Sequence, residues 1–192
     1  MELIFATQNK HKLEEVQALL AEAHAQLISL DEKGFKGELA ETHETLDGNA
    51  IEKAEAVWKM YGMPCFADDT GLEVDALDGR PGVYSARYAG PGCSFDDNVN
   101  KLLQEMHTIE NRKACFRCVI ALIIEGKIYT FEGRVDGTII KDKKGGDGFG
   151  YDPVFLPNGF SQTFAEMPLD IKNSISHRGR AIEKLMAFLM NL

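Results

Sequence analysis

The spacing of apolar side chains predicts that strands alternate with helices at the start of the chain. Residues 2–7 (ELIFAT) and 25–30 (AQLISL) are short apolar runs that are typical of strands. Between them, residues 10–24 place apolar side chains three and four positions apart, as an amphipathic helix does. That helix would present one apolar face, formed by Leu13, Val16, Leu19 and Leu20.

A polar, acidic stretch over residues 31–45 then predicts a loop. Residues 46–61 return to helical spacing, and residues 65–69 (CFADD) predict a short strand that ends in two acids. We expect a turn at Thr70–Gly71, because a glycine directly after a strand favours one.

The second half of the chain adds strands that follow one another as well as further helices. The predicted elements are a glycine- and proline-rich loop at 78–94, a helix through Val99, Leu102, Leu103 and Met106, a hairpin of strands 113–124 and 127–140 joined at Glu125–Gly126, a glycine-rich loop at 145–150, a strand at 152–157 and a helix from about 178 to 192. This order favours the α/β class, with one domain over residues 1–192 and a mixed sheet. Such sheets bind ligands where strand ends meet helix starts.

Charge and composition exclude some classes of function. The net charge of −9 over 192 residues argues against direct binding of nucleic acid, which needs a broad basic surface. Glu2 stands where a signal peptide would be basic, and the longest apolar run, residues 118–124, is too short to cross a bilayer. We therefore expect a cytoplasmic protein with no membrane partner. Cys115 and Cys118 lie three apart on a predicted strand, so they would face opposite sides and be buried thiols.

A polar cluster, Thr7-Gln8-Asn9-Lys10-His11-Lys12, lies where the first strand meets the first helix. Thr7 and Asn9 suit a helix N-cap, the backbone N–H groups there attract anions, and two lysines suit phosphates. The cluster could be a polyphosphate cradle, or simply a capped helix with solvated lysines. It lacks the glycines of a P-loop.

The paired acids of ADDTG suggest a magnesium ligand or a general base, because adjacent carboxylates need a cation or a proton between them. A plain acidic turn is the alternative. A haloacid-dehalogenase-type nucleophile fits poorly, since Thr70 and Gly71 stand where its second aspartate would be. A further metal carboxylate could come from the acidic loop, which offers Glu38, Glu41 and Glu44, although acidic loops are usually just solvated.

Two later segments offer groups that could contact a ligand. In GGDGFGYDP, the glycines allow close backbone approach and Phe149 could stack on a base; a flexible loop is the alternative. In KNSISHRG, just before the final predicted helix, Lys172, His177 and Arg178 supply cations and donors. The alternative there is a capped helix start with exposed bases.

Taken together, these segments resemble one family. The motifs are T-x-N-x-x-K from Thr7, E-T…N-A from Glu41, A-D-D-[ST]-G-L from Ala67, P-G-x-Y-S-A-R-Y-[AS]-G from Pro81, G-F-G-Y-D-P from Gly148 and S-H-R-G from Ser176. This fixed order is similar to that of the inosine triphosphate pyrophosphatase family (Ham1-like, dITP/XTP pyrophosphatases). A Maf-like pyrophosphatase is a rival, against which S-H-R-G argues, and a catalytically silent nucleotide sensor is another, against which the aspartate pair argues.

The resemblance implies a homodimeric, Mg²⁺-dependent hydrolase that converts ITP, dITP and XTP to the monophosphate and pyrophosphate. It also implies an elongated α/β fold, whose long, twisted mixed sheet is flanked by helices, with the nucleotide in a cleft between two lobes. Its purine selectivity would come from donors at the base edge. We hypothesise that His177 and Arg178 donate to the 6-keto group, so that adenine leaves each donor unpaired at a cost of about 1–3 kcal/mol.

Site residues carried over from the family fall into five sets. Those expected around the triphosphate are Thr7, Gln8, Asn9, Lys10, His11 and Lys12, with Thr70 as a further substrate contact. Asp69 and Asp68 are the expected catalytic acids, and Asp69 and Glu41 the expected Mg²⁺ ligands. The base segment is Phe149, Gly150, Tyr151 and Asp152, and the residues near the nucleotide are Lys172, His177 and Arg178.

Two positions depart from the family pattern. His43 replaces a glycine after Glu-Thr, and Gly48 stands where a glutamate is usual. Both lie in the segment that supplies Glu41.

Overall fold

The structure is a computed structural model that describes residues 1–20 and 26–192. The helices are α1 (Lys10–Leu20), α2 (Leu46–Tyr61), α3 (Phe95–Glu105), α4 (Leu169–Ile175) and α5 (His177–Leu189). The strands are β1 (Glu2–Phe5), β2 (Gln26–Ser29), β3 (Cys65–Val74), β4 (Pro81–Gly82), β5 (Lys113–Ile124), β6 (Lys127–Ile139) and β7 (Phe155–Pro157). Short 3₁₀ turns cover Asp75–Leu77, Ser85–Arg87, Asp152–Val154 and Phe164–Glu166.

The strands of the described residues form one mixed sheet in the order β2-β1-β3-β5-β6-β7, with β4 paired to β3. β1 runs parallel to β2 and to β3, with Leu3 opposite Leu27 and Ile4 opposite Cys65. β4 and β7 are antiparallel to their neighbours. The prediction of an α/β fold with a mixed sheet is therefore confirmed.

The chain folds into two compact units. The first unit comprises residues 1–69, 118–133 and 177–192, and the second comprises residues 70–117 and 134–176. In the first unit, the apolar faces of α1 and α5 cover the strands through one core, formed by Leu3, Phe5, Val16, Leu20, Phe66, Cys118, Ile120, Leu122, Ala181, Ile182 and Leu185. The second unit has its own core around Leu72, Leu102, Phe116, Phe155 and Phe164. A single domain over the whole chain stays a prediction.

Local capping signals set the bounds of α2. The Thr45 side chain accepts a hydrogen bond from the Gly48 N–H at 3.1 Å, which satisfies an amide of the first turn. At the other end Gly62 adopts a left-handed φ of 61° and its N–H donates to the Trp58 carbonyl. The predicted bounds of this helix, residues 46–61, are confirmed.

Strand β3 extends beyond its prediction, so the expected turn at Thr70–Gly71 is wrong. Gly71 keeps extended backbone, and the strand continues because Leu72 and Val74 are buried in the core of the second unit. Leu72 also pairs with Gly82 of β4.

Further differences from the prediction lie at the strand expected over 152–157 and at α4. The strand expected at 152–157 is shorter, because Asp152–Val154 form a 3₁₀ turn before β7. Helix α4 was not predicted: it has seven residues and its buried face includes the polar Lys172 and Asn173, so the apolar period is absent. The predicted end of the first helix and the start of the second strand, residues 21–25, lie outside the described residues.

The hairpin and the buried cysteines agree with their predictions. The β5–β6 hairpin turns at Glu125 and Gly126 as expected. Cys115 and Cys118 are both buried and not disulfide-bonded, and their sulfur atoms contact different carboxylates, those of Glu73 and Asp68. No helix in the described part of the chain is long and apolar enough to cross a membrane.

Candidate active site

Asp68 and Asp69 lie in the middle of β3, and both are buried. Successive residues of a strand point to opposite faces of the sheet, so each aspartate meets a different set of partners. Asp68 faces side chains of α1 and α5, whereas Asp69 faces side chains of α2. The paired acids therefore have different surroundings.

The Asp68 carboxylate is held by two cations. Its Oδ1 atom accepts a hydrogen bond from Lys12 Nζ at 3.0 Å, and its Oδ2 atom accepts from Arg178 Nε at 3.3 Å and Nη2 at 3.2 Å. Burial acts to raise the pKa of Asp68, but Lys12, Arg178 and Lys53 outweigh it and hold that pKa well below its ordinary value. Asp68 is thus a permanent anion that orients two cations.

Arg178 links three elements of the first unit. Besides Asp68 on β3, its guanidinium binds Glu15 on α1 through Nη1, and all three side chains are buried. Burial acts to lower the pKa of Arg178, and the two carboxylates reverse this and raise it. The pairing removes the cost of burying each of these charges alone.

Asp69 has a weaker set of partners. Its Oδ2 atom accepts from Asn49 Nδ2 at 3.1 Å, and its Oδ1 atom accepts from Lys53 Nζ at 3.2 Å. Burial raises the pKa of Asp69, and Lys53 and Lys12 oppose this only in part. Of the two acids, Asp69 is the one better placed to accept a proton.

Lys53 joins the predicted metal ligands. Its Nζ atom donates to Glu41 Oε1 at 2.7 Å, to the Asp68 carbonyl at 2.8 Å and to Asp69 Oδ1. Burial acts to lower the pKa of Lys53, but the carboxylates of Asp69, Glu41 and Asp68 raise it above its ordinary value. The lysine is therefore a buried ammonium ion shared between Glu41 and Asp69.

This arrangement fits a divalent cation. Glu41 and Asp69 are close enough to share one positive charge, and carboxylate oxygens are the hard ligands that Mg²⁺ prefers. Over residues 1–20 and 26–192, no group of three or more His, Cys, Asp or Glu side chains is arranged to hold a metal. Mg²⁺ sites commonly use one or two carboxylates and complete their shell with water and substrate phosphates.

The cluster at residues 7–12 caps α1 and also reaches the acids. Thr7 Oγ1 accepts from the Asn9 N–H, and Asn9 Oδ1 accepts from the N–H groups of His11 and Lys12. The Lys12 ammonium points to Asp68 rather than to solvent. Gln8 donates to the Gly37 carbonyl at 2.7 Å, and Lys10 is exposed.

The predicted base segment belongs to the second unit, where Asp152 organises it. Asp152 Oδ2 accepts from the Phe149 N–H at 2.9 Å and from Lys172 Nζ at 2.7 Å, and Asp152 and Lys172 are both buried. The Lys172 ammonium lies 5.1 Å from the centre of the Phe149 ring, a cation–π contact. Both the backbone and the ring of Phe149 are thus fixed by the same ion pair.

Neighbouring residues support this segment. Phe95, at the start of α3, places its ring 5.8 Å from that of Phe149. Tyr151 is buried and its hydroxyl donates to the Ser85 carbonyl at 2.9 Å. Gly148 has a left-handed φ of 78°, and a Cβ atom there would collide with Asp152 Oδ2. Gly150 likewise has a left-handed φ.

The predicted site residues of KNSISHRG belong to two different helices. Lys172 lies on α4 in the second unit, whereas His177 and Arg178 form the first turn of α5 in the first unit. His177 and Arg178 are buried at 4% and 2% exposure, so the alternative of exposed bases is wrong.

A model of the Ham1 family matches residues 3–188. The chain belongs to the Ham1 family.

Relatives of this Ham1-family chain are similar over almost its whole length. A protein of Porphyromonas gingivalis named dITP/XTP pyrophosphatase is 53% identical over 189 residues, 98% of this chain and 97% of the relative. One of Flavobacterium johnsoniae with the same name is 51% identical over 98% of both chains. The solved structure of a HAM1 protein from Coxiella burnetii matches with a TM-score of 0.92 and 37% identity, covering 100% of both chains.

Sequence reasoning missed three site residues of this Ham1-family chain: Glu15, Asn49 and Lys53. Asn49 and Lys53 lie four apart on α2, on the same face as the buried Ala50, Ala54 and Val57. A polar pair on an otherwise apolar helix face is the signal that could have found them. Glu15 has a similar signal, because it adjoins Val16 on the buried face of α1.

Proposed function

We propose that this chain hydrolyses non-standard purine nucleoside triphosphates, namely ITP, dITP and XTP, to the monophosphate and pyrophosphate. The observation that carries the proposal is the setting of Asp69, a buried carboxylate that shares the Lys53 ammonium with Glu41 beside the Lys12–Asp68 ion pair. Relatives that are about half identical over nearly the full chain and bear the name dITP/XTP pyrophosphatase support it.

The phosphates would be bound at the start of α1. Backbone N–H groups and the positive end of the helix favour an anion there, and Lys10 and Lys12 add charge for the leaving pyrophosphate. The side chains of Thr7, Gln8, Asn9 and His11 would complete this set, and Thr70 would contact the substrate. Lys12 is already oriented by Asp68.

Glu41 and Asp69 would hold Mg²⁺. When bound, the ion would supply positive charge against the phosphate oxygens as the α–β anhydride breaks. Lys53 keeps the two carboxylates together, so the ligands are arranged before the ion binds.

Asp69 would accept the proton of the attacking water. As the water oxygen bonds to the α-phosphorus, the bond from that phosphorus to the α–β bridging oxygen breaks and pyrophosphate leaves with the electron pair. Both oxygens of Asp68 are held by Lys12 and Arg178, so Asp68 orients cations rather than moving protons.

The base would be recognised by the residues that the family resemblance assigns to it. Phe149 would stack on the purine, with Gly150, Tyr151, Asp152 and Lys172 shaping its surroundings. His177 and Arg178 would favour the 6-keto group. If His177→Ala and Arg178→Ala both kept the full preference for ITP over ATP, this base-edge hypothesis would be wrong.

The first experiment incubates purified protein with Mg²⁺ and, separately, ITP, XTP, GTP and ATP, and measures pyrophosphate and orthophosphate. We expect pyrophosphate from ITP and XTP, little from ATP and GTP, and none when Mg²⁺ is chelated. Asp69→Asn should abolish the signal, whereas Asp31→Asn, at an exposed position, should not. Orthophosphate alone, or no turnover, would contradict the proposal and leave another substrate or a binding role.

We also propose that the protein is a homodimer, as the family resemblance implies, and that it acts in the cytoplasm. Light scattering at micromolar concentration would measure a mass near twice the chain mass of 21.3 kDa. A monomer mass would contradict the dimer without affecting the proposed reaction.

A further inference from the structure

Gly48 lies in the first turn of α2, and its backbone does not require glycine. Its φ lies outside the left-handed region, and glycine inside a helix is less favourable than alanine. A Cβ atom added at Gly48 would lie 2.6 Å from Cβ, 2.7 Å from Cγ and 3.0 Å from Nδ1 of His43. The space that a side chain would need is therefore occupied by His43.

The nearest of these atoms decides what can relieve the collision. The Cβ atom of His43 keeps its place in every rotamer, so turning the imidazole ring away would not clear it. With this backbone, at least one of positions 43 and 48 must be glycine. His43 and Gly48, the two departures from the family pattern, are thus one coupled change.

The pair lies in a segment that is tied to α2 and to the acids. The N–H and hydroxyl of Thr42 donate to the Glu52 carboxylate at 2.8 and 2.9 Å. The His43 N–H donates to Asn49 Oδ1 at 2.9 Å, and Asn49 in turn donates to Asp69. Glu41 precedes His43 by two residues, so a displacement at position 43 acts on both proposed metal ligands.

We propose that the fit of His43 against Gly48 positions Glu41 and Asp69, and that His43 acts through Asn49 as a positioning residue. The catalytic part of this inference rests on the proposed function, whereas the steric part does not. A side chain at position 48 would push the 41–45 segment away from α2 and loosen the hold of Asn49 on Asp69.

A series of four variants tests the steric pair by thermal unfolding: Gly48→Ala, His43→Gly, His43→Ala with Gly48→Ala, and His43→Gly with Gly48→Ala. We expect Gly48→Ala to lower Tm by about 4 °C or more, although glycine to alanine in a helix usually stabilises. The Tm of the double alanine variant should be as low as that of Gly48→Ala, because an alanine at position 43 keeps the Cβ atom. The variant that combines His43→Gly with Gly48→Ala should return to the Tm of His43→Gly alone.

Gly146→Ala is the matched control, because a Cβ atom there meets nothing within 4 Å and its φ is not left-handed. It should leave Tm unchanged. A Gly48→Ala protein as stable as the wild type would overturn the steric pair. An equal recovery of Tm in the two double variants, one with His43→Ala and one with His43→Gly, would also overturn it.

Catalysis tests the positioning role below the unfolding temperature of every variant. Gly48→Ala should lower kcat and raise the Mg²⁺ concentration for half-maximal rate by about tenfold, the scale of outer partners of metal ligands. The KM for ITP should change little, and His43→Gly with Gly48→Ala should restore both quantities. An unchanged Mg²⁺ requirement in Gly48→Ala would overturn the positioning role. A wild-type protein that turned over no nucleotide would sink the proposed function, while the unfolding series would still decide the steric pair.

Discussion

Lys53 holds together two carboxylates that come from separate parts of the chain. Glu41 lies in the loop before α2, and Asp69 lies on β3, yet both accept hydrogen bonds from one ammonium group. Two carboxylates that contact the same ammonium group are close enough to repel each other when that cation is absent. Lys53 therefore makes the two predicted metal ligands compatible, although the sequence prediction of the metal site did not include it.

Replacing Lys53 with methionine should destabilise the protein while keeping the apolar stem of the side chain. Asp69 would be left as a buried carboxylate without its cation, which should lower the unfolding free energy by about 3 kcal/mol. We expect the low end of the range for a broken buried pair, because the other partner of Lys53, Glu41, is partly exposed. Urea unfolding without Mg²⁺ measures the loss. Lys59→Met is the control: that exposed lysine lies on the same helix, and we expect a change below about 0.5 kcal/mol. Equal effects of the two variants would contradict the role of Lys53.

At the scale of elements, β3 gives two adjacent acids different tasks. The strand alternation turns Asp68 toward α1 and α5 and Asp69 toward α2, so one carboxylate meets Lys12 and Arg178 and the other meets Asn49 and Lys53. A turn at this point would have allowed both acids to face the same side. The extension of β3 to Val74 is what fixes their separation.

The β5–β6 hairpin depends on its two-residue turn. Glu125 and Gly126 have φ values of 50° and 75°, and two left-handed residues suit the twist of a two-residue hairpin. Gly126→Ala should cost about 1–2 kcal/mol, the penalty for a Cβ atom in left-handed backbone, because no other atom lies within 4 Å. Chemical denaturation measures it against Gly146→Ala, which has equal space but an ordinary φ. Equal stabilities of the two variants would show that the turn tolerates a side chain.

At the scale of the whole molecule, the first unit is assembled from three separate stretches of chain. Its last stretch, α5, brings Arg178 to Asp68 and Glu15, which lie more than a hundred residues earlier in sequence. The close approach of α5 to β6 requires a glycine at position 133. A Cβ atom there would collide with the His177 carbonyl oxygen and lie 2.6 Å from the Ala181 nitrogen. The helix backbone thus packs directly on the strand.

Gly133→Ala should therefore affect both stability and catalysis. The atoms in the way belong to the helix backbone and have no rotamers, so α5 would shift and draw Arg178 away from Asp68 and Glu15. We expect a loss of about 3 kcal/mol or more in unfolding free energy, and a lower kcat with ITP. A Gly133→Ala protein with the stability and kcat of the wild type would contradict this packing, and Gly146→Ala again serves as the control for stability.

Several features of this structure could be predicted because their causes are local. The apolar spacing over residues 46–61 marks α2 and its buried face, and Glu125–Gly126 marks the hairpin turn. Helix α4 escaped prediction because Lys172 and Asn173 take positions where an apolar residue would be expected. Lys172 can be buried there only because Asp152, twenty positions earlier, neutralises its charge.

The sequence by itself determined the fold class, the bounds of α2, the turn of the β5–β6 hairpin and the order of motifs that places the chain in the Ham1 family. These rest on hydrogen bonds and periodicities within a few residues of each position, which a sequence displays directly. Only the tertiary structure decided which cation each aspartate meets, that Lys53 joins Glu41 to Asp69, and that His43 and Gly48 share one space. Such contacts join residues from different elements, and their geometry exists only once those elements have packed together.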